Sequence, residues 1–440
     1  MLAAAADGGV VPETVRDAVL ARAARLDAAG RRLLDAVAIV PPRAEIWLLD
    51  GMAHDELAGL ESCLASGILE SDASAVSFRH EIARAAVEDS LPPHVRVALH
   101  RRALSALIAA SGHASDAARL AHHAEAAGDG DAVVRYARLA GKRAASMRAH
   151  REAAAQFARA LRYGSDFPAD QRAKLLESQS HECYLTDQIE QAVAARREAV
   201  WLRHELHDPL GAGEGHRWLS LLAWMAGDNH GAQAEARRAV ELLEGEPEGA
   251  ELAMAYSTLA VMRLFAYDIS GTLELGARAI EIADGVGDVR ALTDALMTIG
   301  TAELMASSPA AETHLQRALE LALDAGVEEL VVRGHTNLGL TALAVRDYKR
   351  ADRRLMAAVE YCNQRDLGTW PMYIGGWRAR SQLEQRLAQV LASGPPRLLV
   401  DVRTDANGEL GASTTPSTSR SHAAVNPSST AGLTPASRGS

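Results

Sequence analysis

Alanine followed by a larger aliphatic residue recurs at a nearly constant interval along the middle of the chain. The first pair is Ala160-Leu161 and the last is Ala358-Val359, and successive pairs are 39, 40, 40, 39 and 40 residues apart. Such a fixed interval is typical of a repeated supersecondary unit. The pairs between these two are Ala199-Val200, Ala239-Val240, Ala279-Ile280 and Ala318-Leu319.

The segment 131–164, DAVVRYARLAGKRAASMRAHREAAAQFARALRYG, shows what one unit contains. It has no proline and few strand-forming residues, and it carries small alanines where two helices would touch. This composition favours a pair of closely packed helices. We interpret the segment as the entrance to the repeat array.

Two further kinds of residue keep the same phase as the alanine pairs. Short turn-like stretches contain Asp187, Asp228, Asp268 and Asp347, with Ser308 in the corresponding place of one unit. Eight residues before the last four of these positions, small residues occur, namely Ser220, Ala260, Gly300 and Gly339. The pattern predicts a helical hairpin: a small residue on helix A admits helix B closely, a turn follows, and helix B carries the alanine pair. We therefore predict an all-α solenoid with a period of about 40 residues.

A different pattern precedes the repeats. Residues 11–40 are predicted to form two amphipathic helices, with Pro12 in the first turn of one and Asp27 as the cap of the next. Within 55–91, a helix is predicted to end at Gly67, and another is predicted to start near His80.

Between those two helices lie two short apolar runs. Ile68 to Glu70 and Ala75 to Phe78 can pair across a Ser-Asp-Ala turn. Helices followed by a two-stranded wing indicate a winged-helix-like domain. The predicted organisation is a disordered N-terminus over residues 1–10, a winged-helix-like domain over 11–105, an α-solenoid over 113–392 and a disordered Ser/Thr/Pro-rich tail over 393–440.

Composition and charge limit the possible functions. Of the 440 residues, 48% are hydrophobic and only 4% aromatic, which favours an alanine- and leucine-filled helical core. The net charge of −11 argues against nucleic-acid binding through the overall field. The segment 100–104, HRRAL, together with Arg96 forms a short basic patch, which we expect to be a solvent-exposed face of a helix. We expect no direct DNA binding by this chain.

The three cysteines have no metal-ligand spacing, and we predict reduced structural thiols at Cys63, Cys183 and Cys362. The first residues lack the basic region of a signal peptide, and no apolar run approaches the length of a membrane span. These features predict a cytoplasmic protein with no membrane association.

Residues 337–362, NLGLTALAVRDYKRADRRLMAAVEYC, resemble a tetratricopeptide repeat (TPR). Leu338 and Gly339 occupy helix A, Tyr348 follows the turn, and Ala351 and Ala358 occupy helix B. The period is longer than in the usual repeat, so the resemblance is to long TPR-like repeats.

A wider resemblance covers roughly residues 10–385. VPETVRDAVLARAARL, FRHEIARAAVEDSLPPHVRVALHRRAL, LAHHAEAAGD and HREAAAQFARAL follow one another in this order and precede the repeats. They resemble the middle of large bacterial LuxR-type regulators that carry a signal-transducing AAA/STAND ATPase module. The resemblance implies a P-loop ATPase domain before the winged helix, a superhelical sensor array after it, and a C-terminal helix-turn-helix.

The chain departs from that plan at both ends. No G-x-x-x-x-G-K-[ST] motif occurs, because the Gly141-Lys142 pair is followed by arginine and lies in a helical pattern. We therefore expect no ATPase activity and no cofactor in this chain, with ATP or ADP belonging to the complete architecture. At the other end the Ser/Thr/Pro-rich tail replaces the helix-turn-helix. We interpret the sequence as a truncated or frame-shifted regulator, or as a natural split protein.

Several polar residues are candidates for binding. The family resemblance places a nucleotide-contacting histidine at His80, and Arg79 and Arg84 flank it. A surface or capping role is the favoured alternative for all three. His122 and His123 are adjacent on a helix and point about 100° apart, and His113 adds no ligand spacing, so we predict a structural role rather than a metal site.

Aromatic and amide side chains on the A helices are candidates for ligand or partner binding on the concave wall. They are Trp218, Trp224, Tyr256 and Asn337. Inter-repeat packing is the favoured alternative for most of them. The last predicted helix A carries Trp370, Pro371, Tyr373 and Trp377, which we expect to be unusually exposed for want of a following repeat.

Two functions remain compatible with the sequence. The first is a non-enzymatic sensor or interaction module of a LuxR-type ATP-binding transcriptional regulator, in which the array binds an effector or a protein partner and signals to an ATPase domain. The alternative is a component of an ATP-dependent STAND switch that completes a nucleotide site in trans through Arg79 or His80.

Overall fold

The computed structural model describes residues 13–110, 117–164, 167–368, 370–393, 401–404 and 410–413. The chain forms two units, one ending at Ser381 and the other beginning at Gln382. The fold is an all-α solenoid of TPR-like helical hairpins preceded by a helical segment with a small antiparallel sheet. Among the described residues, no helix is both long and apolar enough to cross a membrane.

The front segment consists of short helices around a three-stranded sheet. The sheet order is β1-β3-β2, and both pairings are antiparallel, with Ala44 opposite Val76 and Leu69 opposite Phe78. The strands are β1 (Ala44–Glu45), β2 (Leu69–Ser71) and β3 (Ala75–Phe78). The helices are α1 (Glu13–Ala23), α2 (Ala28–Ala38), α3 (Ile46–Ala53), a 3₁₀ turn (His54–Gly59), α4 (Leu60–Ala65), α5 (Glu81–Ser90) and α6 (Pro93–Ala109).

Several local predictions for this segment are confirmed, namely its helices, the cap at Asp27 and one strand pair. Asp27 caps α2, because its carboxylate accepts a hydrogen bond of 2.7 Å from the Gly30 amide. The predicted strand pair is present, although β2 begins one residue later than expected. Gly67 follows α4 in the left-handed conformation at φ +72°. Neither β1 nor α3 was predicted from the sequence, and Pro12 lies outside the described residues.

Within the described ranges, the array contains six helical hairpins in which helix A precedes helix B. They are α8 (Gly130–Ser146) with α9 (His150–Tyr163), α10 (Ala169–Leu185) with α11 (Ile189–Glu205), α12 (Pro209–Met225) with α13 (Asn229–Leu243), α14 (Ala250–Phe265) with α15 (Ile269–Val286), α16 (Val289–Met305) with α17 (Ala311–Ala325), and α18 (Glu328–Ala344) with α19 (Tyr348–Gln364). Helix α7 (Ala117–Ala127) precedes them and α20 (Pro371–Ser393) follows.

Close helix packing explains why small residues recur on both helices of each hairpin. All six alanines of the alanine-aliphatic pairs lie in B helices and are at most 1% exposed. On the A helices, a Cβ added at Gly300 would lie 2.8 Å from Leu315 Cγ, and one added at Gly339 would lie 2.9 Å from Leu355 Cγ. The hairpin predicted from the spacing is therefore confirmed.

The turns inside the hairpins share one backbone feature. Each turn contains a residue in the left-handed conformation, and these residues are Arg148, Asp187, Gly227, Tyr267, Ser307 and Arg346. The residue that follows is the N-cap of helix B, except after Ser307, where Ala310 has that place.

The predicted turn aspartates mostly act as caps. Asp228, Asp268 and Asp347 each accept a backbone N–H at the start of a B helix. Asp187 differs from the prediction because it occupies the left-handed position, which aspartate tolerates, and Gln188 is the cap.

The hydrophobic core does not divide at the predicted boundary between residues 105 and 113. One buried cluster extends from Leu26 to Leu175, and α6 runs through residue 105 to Ala109. Helix α6 packs on α3 in the front segment and on α7 of the array. The front segment and the first hairpin therefore share one core.

Beyond α20, the described residues form one strand pair. In it, β4 (Asp401–Thr404) lies antiparallel to β5 (Leu410–Ser413), with Asp401 opposite Ser413. This pairing differs from the predicted disorder, which rested on the lack of an apolar period there. The rest of the predicted tail from residue 394, and the predicted disordered N-terminus, lie outside the described residues.

Candidate functional site

A pocket of about 400 Å³ lies on the inner wall of the array. Helices α10, α12, α14, α16 and α18 contribute to it, together with the residues at the start of α20. All five are A helices of their hairpins. Because successive A helices lie side by side in a solenoid, they form one concave wall.

The two ends of the array meet beside this pocket. The Gly368 amide donates a hydrogen bond of 2.9 Å to the Leu185 carbonyl, which joins the segment after α19 to the end of α10. One buried hydrophobic cluster also contains Leu185 and Trp218 together with Val332 and Ile374. The array therefore closes on itself, and the pocket has walls from both early and late hairpins.

Aromatic and aliphatic side chains form the larger part of the pocket surface. Trp224 stacks on Phe265 with ring centroids 4.3 Å apart and an interplanar angle of 9°. Neither residue is fully buried, so this stack offers an accessible apolar face. Other apolar lining residues are Leu221, Met254, Leu264 and Trp370.

Charged and neutral polar side chains occupy the rest of the lining, and four of the charged ones form two pairs. Arg290 donates to Glu329 at 2.7 Å, and Arg333 donates to Asp294 at 3.0 Å and to Thr298 at 2.9 Å. Each pair joins α16 to α18. The pairs fix the spacing of these two inner helices and give one side of the pocket a polar surface.

Trp218 is held in the wall by its neighbours. Its indole N–H donates to Glu214 at 2.9 Å, and the guanidinium of Arg217 lies 4.9 Å from the ring centroid. Burial acts to lower the pKa of Arg217, but the Glu214 carboxylate outweighs burial and raises it. Both groups therefore stay charged, and Trp218 has a fixed orientation.

The structure brings three of the four predicted inner-wall residues to this pocket. Trp218, Trp224 and Asn337 line it, and Asn337 also donates to Thr301 at 2.7 Å. Tyr256 does not line it, because its hydroxyl donates to Glu244 at 2.6 Å near the end of α13. Trp218 and Trp224 therefore both pack against neighbouring side chains and line the pocket.

The residues at the start of α20 differ from the expected exposure. Trp370 and Tyr373 line the pocket, and Trp377 packs against two buried clusters. Tyr373 keeps 46% of its surface exposed, while Trp370, Pro371 and Trp377 are partly buried. Closure of the array supplies the packing surface that a following repeat would have provided.

Arg79 and His80 are exposed at the start of α5. His80 is the N-cap residue, but its side chain makes no capping hydrogen bond. Arg84 differs from them because it is engaged, donating at 2.7 Å to both the Ala38 carbonyl and Glu81 and pairing with Glu88. The three predicted residues thus have different environments.

The predicted geometry of the histidines requires a correction. His122 and His123 do converge, because His100 from α6 lies against both, and one ring nitrogen of each lies within 4.8 Å of the others. His100 is 1% exposed, so the HRRAL segment is not the fully solvent-exposed helix face that was predicted. The prediction considered only neighbours on the same helix and therefore missed the third ring. His113 lies outside the described residues.

Other candidates have structural environments. Gly141 lies inside α8, where an added Cβ would be 2.5 Å from the ring of Phe157, so it packs a helix pair. All three cysteines are buried and free. Burial raises the pKa of the Cys63 and Cys183 thiols to about 11 and that of Cys362 to about 12.

The charged pairs of the pocket were not predicted from the sequence, although the spacing of their residues along the chain indicates them. Arg290 and Glu329, and likewise Asp294 and Arg333, are 39 residues apart, which is one repeat length. Opposite charges at one repeat spacing on A helices become neighbours when hairpins stack. A search for such charge pairs would have found this side of the pocket.

No family model matches the chain, and no curated protein matches it. Among solved structures, it is similar to the STAND protein PH0952 with a tetratricopeptide repeat sensor from Pyrococcus horikoshii, with 15% identity over 87% of this chain and 58% of that one and a TM-score of 0.40. It is also similar to a Rap protein complexed with competence and sporulation factor, with 10% identity, coverage of 85% and 99%, and a TM-score of 0.43.

A third similar structure is the Rap conjugation gene regulator of plasmid pLS20 in complex with the Phr* peptide, with 11% identity, coverage of 84% and 98%, and a TM-score of 0.46. The chain spans 58% of the length of the Pyrococcus horikoshii protein. The class of the protein follows from its own hairpins, which form a TPR-like helical array.

Proposed function

We propose that the chain is a non-enzymatic binding module whose inner-wall pocket takes a short segment of a protein partner or a peptide-like effector. The observation that carries the proposal is the combination of an accessible aromatic stack with a row of ordered charged pairs in one pocket. Apolar surface supplies the affinity and a few fixed polar groups supply orientation in sites of this kind. Arg290 is paired with Glu329 and Arg333 with Asp294, so we assign these four residues to positioning.

The chemistry of the pocket selects the class of occupant. The Trp224–Phe265 stack suits an aromatic or long aliphatic side chain, which it can contact face to face. Arg290 and Glu329 on the polar side can exchange part of their mutual pairing for the main-chain N–H and C=O groups of a peptide. We therefore favour a peptide segment with one large apolar side chain.

We further propose that the array acts as the sensor part of a LuxR-type regulator with a STAND ATPase module. The front segment supports this assignment, because three antiparallel strands accompany α2, α3 and α4 in the manner of a winged helix. In such a regulator, ligand binding favours one of two arrangements of the array and the winged helix. The three buried free thiols favour a reducing, cytoplasmic setting.

The test uses a random peptide library displayed on phage and selected on the full chain. Selected peptides are then measured by fluorescence polarisation against the wild type, Trp224→Ala and Trp201→Ala. Trp201 is a matched control, because it is 60% exposed on the B helix α11 and does not line the pocket. Circular dichroism establishes that each variant keeps its helical content.

We expect Trp224→Ala to weaken peptide binding at least about tenfold, as loss of a central aromatic contact does at binding hot spots. Trp201→Ala should bind like the wild type. Equal affinity for Trp224→Ala, or a selection that yields no binding peptide, would exclude this pocket as a peptide site.

A nucleotide site completed in trans is the second candidate, favoured by the exposure of Arg79 and His80 together at the start of α5. Its test is the thermal shift of the full chain with ATP and ADP, beside an Arg79→Ala/His80→Ala double variant. A His94→Ala/Arg96→Ala variant, which alters an exposed pair on α6, is the control. A nucleotide shift that only the first double variant loses would support this role, and no shift in the wild type would count against it.

A further inference from the structure

Three histidines from two helices meet at the junction between the front segment and the array. His100 lies on α6, and His122 and His123 lie on α7. The Nδ1 atoms of His100 and His123 are 2.9 Å apart, and one ring nitrogen of each of the three histidines lies within 4.8 Å of the others. His100 and His123 are buried, whereas His122 remains exposed.

These distances are close to those of a metal-ligand set. Zinc binds imidazole nitrogen at about 2.0–2.1 Å with tetrahedral angles, which places two ligand nitrogens roughly 3.3 Å apart. The His100 and His123 nitrogens need to separate by only a few tenths of an ångström from their present 2.9 Å. His122 needs a rotation of its exposed ring, which has space to move.

Imidazole binds a metal ion in its neutral form. Burial disfavours the charged form of all three rings, and it lowers the pKa of His100 to about 4, that of His123 to about 3, and that of His122 as well. Between the two buried rings, one Nδ1 donates a hydrogen bond to the other. Ligation through both Nδ1 atoms would require the donor ring to take the tautomer that carries its proton on Nε2, so that each ring stays neutral and no proton is lost.

The cluster opens into a cavity whose two arginines, Arg43 and Arg119, are each paired with a carboxylate. A cavity of about 360 Å³ is lined by His122 and His123 together with Pro42, Glu45 and Arg119. The Arg119 guanidinium is neutralised by Glu45, to which it donates two hydrogen bonds of 2.7 and 2.6 Å. The cavity has room for water at the fourth coordination position.

We propose that His100, His122 and His123 form a binding site for one zinc-class divalent cation, with water from the adjacent cavity as the fourth ligand. Three neutral imidazoles select late first-row transition ions over magnesium and calcium, which prefer oxygen ligands. The ion would tie α6 to α7, the two helices that link the front segment to the array. This site is separate from the peptide pocket on the inner wall.

The experiment measures zinc binding by the full chain after removal of metal with a chelator. Isothermal titration with zinc chloride is run on the wild type, His122→Ala and His94→Ala, and cobalt(II) absorption is recorded for each. His122 is the residue to change because it is exposed, so its replacement leaves the buried pair in place. His94 is the matched control, since it is an exposed histidine on α6 outside the cluster.

We expect the wild type and His94→Ala to bind one zinc ion tightly and to show the visible bands of tetrahedral cobalt. His122→Ala should bind at least about tenfold more weakly, because it loses a direct ligand. If all three proteins bind zinc equally, or if the wild type shows no tight site and no tetrahedral cobalt bands, the cluster is a hydrogen-bonded packing arrangement and the proposal is overturned.

Discussion

His150 at the start of α9 lies against Glu328 at the start of α18, although four helical hairpins separate them in the chain. The Nε2 atom of His150 is 3.4 Å from Glu328 Oε2, and its Nδ1 atom is 2.7 Å from Glu182 Oε2. The side chains of His150, Glu182 and Glu328 are 5%, 8% and 12% exposed. This contact is one of those that close the array, and it depends on a protonated imidazole.

The closing contact predicts a pH dependence of stability. Burial acts to lower the pKa of His150, but Glu182 and Glu328 raise it to about 9. Since the folded-state pKa lies above the unfolded value of about 6.5, the contribution is complete below pH 6.5 and is lost as pH rises through 9. We expect the free energy of unfolding to fall by about 2 kcal/mol between pH 6 and pH 9.5.

The measurement is urea unfolding across this pH range. His150→Gln, which cannot be charged, should be less stable than the wild type at pH 6 and should lose most of the decline toward pH 9.5. His94→Gln, an exposed change on α6, should retain the wild-type profile. Parallel pH profiles for the wild type and His150→Gln would contradict the assignment.

The ion pairs between neighbouring hairpins should differ in strength according to burial. Asp294 accepts hydrogen bonds from Ser257 at 2.5 Å and from Arg333 at 3.0 Å, and its side chain is 13% exposed. Asp294→Ala removes the only carboxylate that pairs with Arg333 among the described residues and leaves it hydrogen-bonded to Thr298 alone in a largely buried position, so we expect a loss of about 2 kcal/mol. Chemical unfolding of the full chain measures this loss.

An exposed pair with nearly the same spacing is the natural comparison. Arg350 donates to Glu312 at 3.0 Å across 38 residues, but the Glu312 side chain is 55% exposed. We expect Glu312→Ala to cost less than about 1 kcal/mol, because water screens the pair. Equal losses for the two substitutions would show that burial does not set the value of these contacts.

Backbone conformation in the hairpin turns predicts opposite effects of two substitutions. Arg346 adopts φ +60°, a conformation that costs a side chain about 1 kcal/mol, so Arg346→Gly should stabilise the protein by up to that amount. Gly227 occupies the equivalent turn position at φ +83°, and an added Cβ there meets no atom within 4 Å. Gly227→Ala should therefore destabilise the protein by about 1 kcal/mol through backbone strain alone. Thermal unfolding of both variants should give melting temperatures on opposite sides of the wild type.

Glycine on an inner helix should respond differently from glycine on an open helix surface. A Cβ at Gly300 would lie 2.8 Å from Leu315 Cγ and 3.1 Å from the Leu315 backbone nitrogen. Since backbone cannot give way as a side-chain tip can, Gly300→Ala should cost about 1–2 kcal/mol despite the better helix propensity of alanine.

Gly376 in α20 provides the comparison, because an added Cβ there meets nothing within 4 Å. Gly376→Ala should stabilise the protein by up to about 1 kcal/mol. A stabilising effect at Gly300 would mean that α16 and α17 are not held as close as their packing indicates. Circular dichroism melts of the two variants decide the matter.

The sequence by itself determined the repeat. Close helix contacts admit only small residues, so Ala160, Gly300 and their equivalents recur with the period of the hairpin. The capping aspartates recur with the same period because the B helices begin after equivalent turns and their first N–H groups need an acceptor. The strand pair after Gly67 was also predicted from local signals, since turn residues and alternating apolar positions act over a few residues.

Only the tertiary structure decided which distant residues meet. His150 and Glu328 come together because small rotations between successive hairpins add up to a closed turn, and no local pattern encodes that sum. Trp224 and Phe265 form the pocket wall for the same reason, whereas Tyr256 does not join them. His100 reaches His122 and His123 through the packing of α6 on α7, a contact whose geometry depends on the whole core around it.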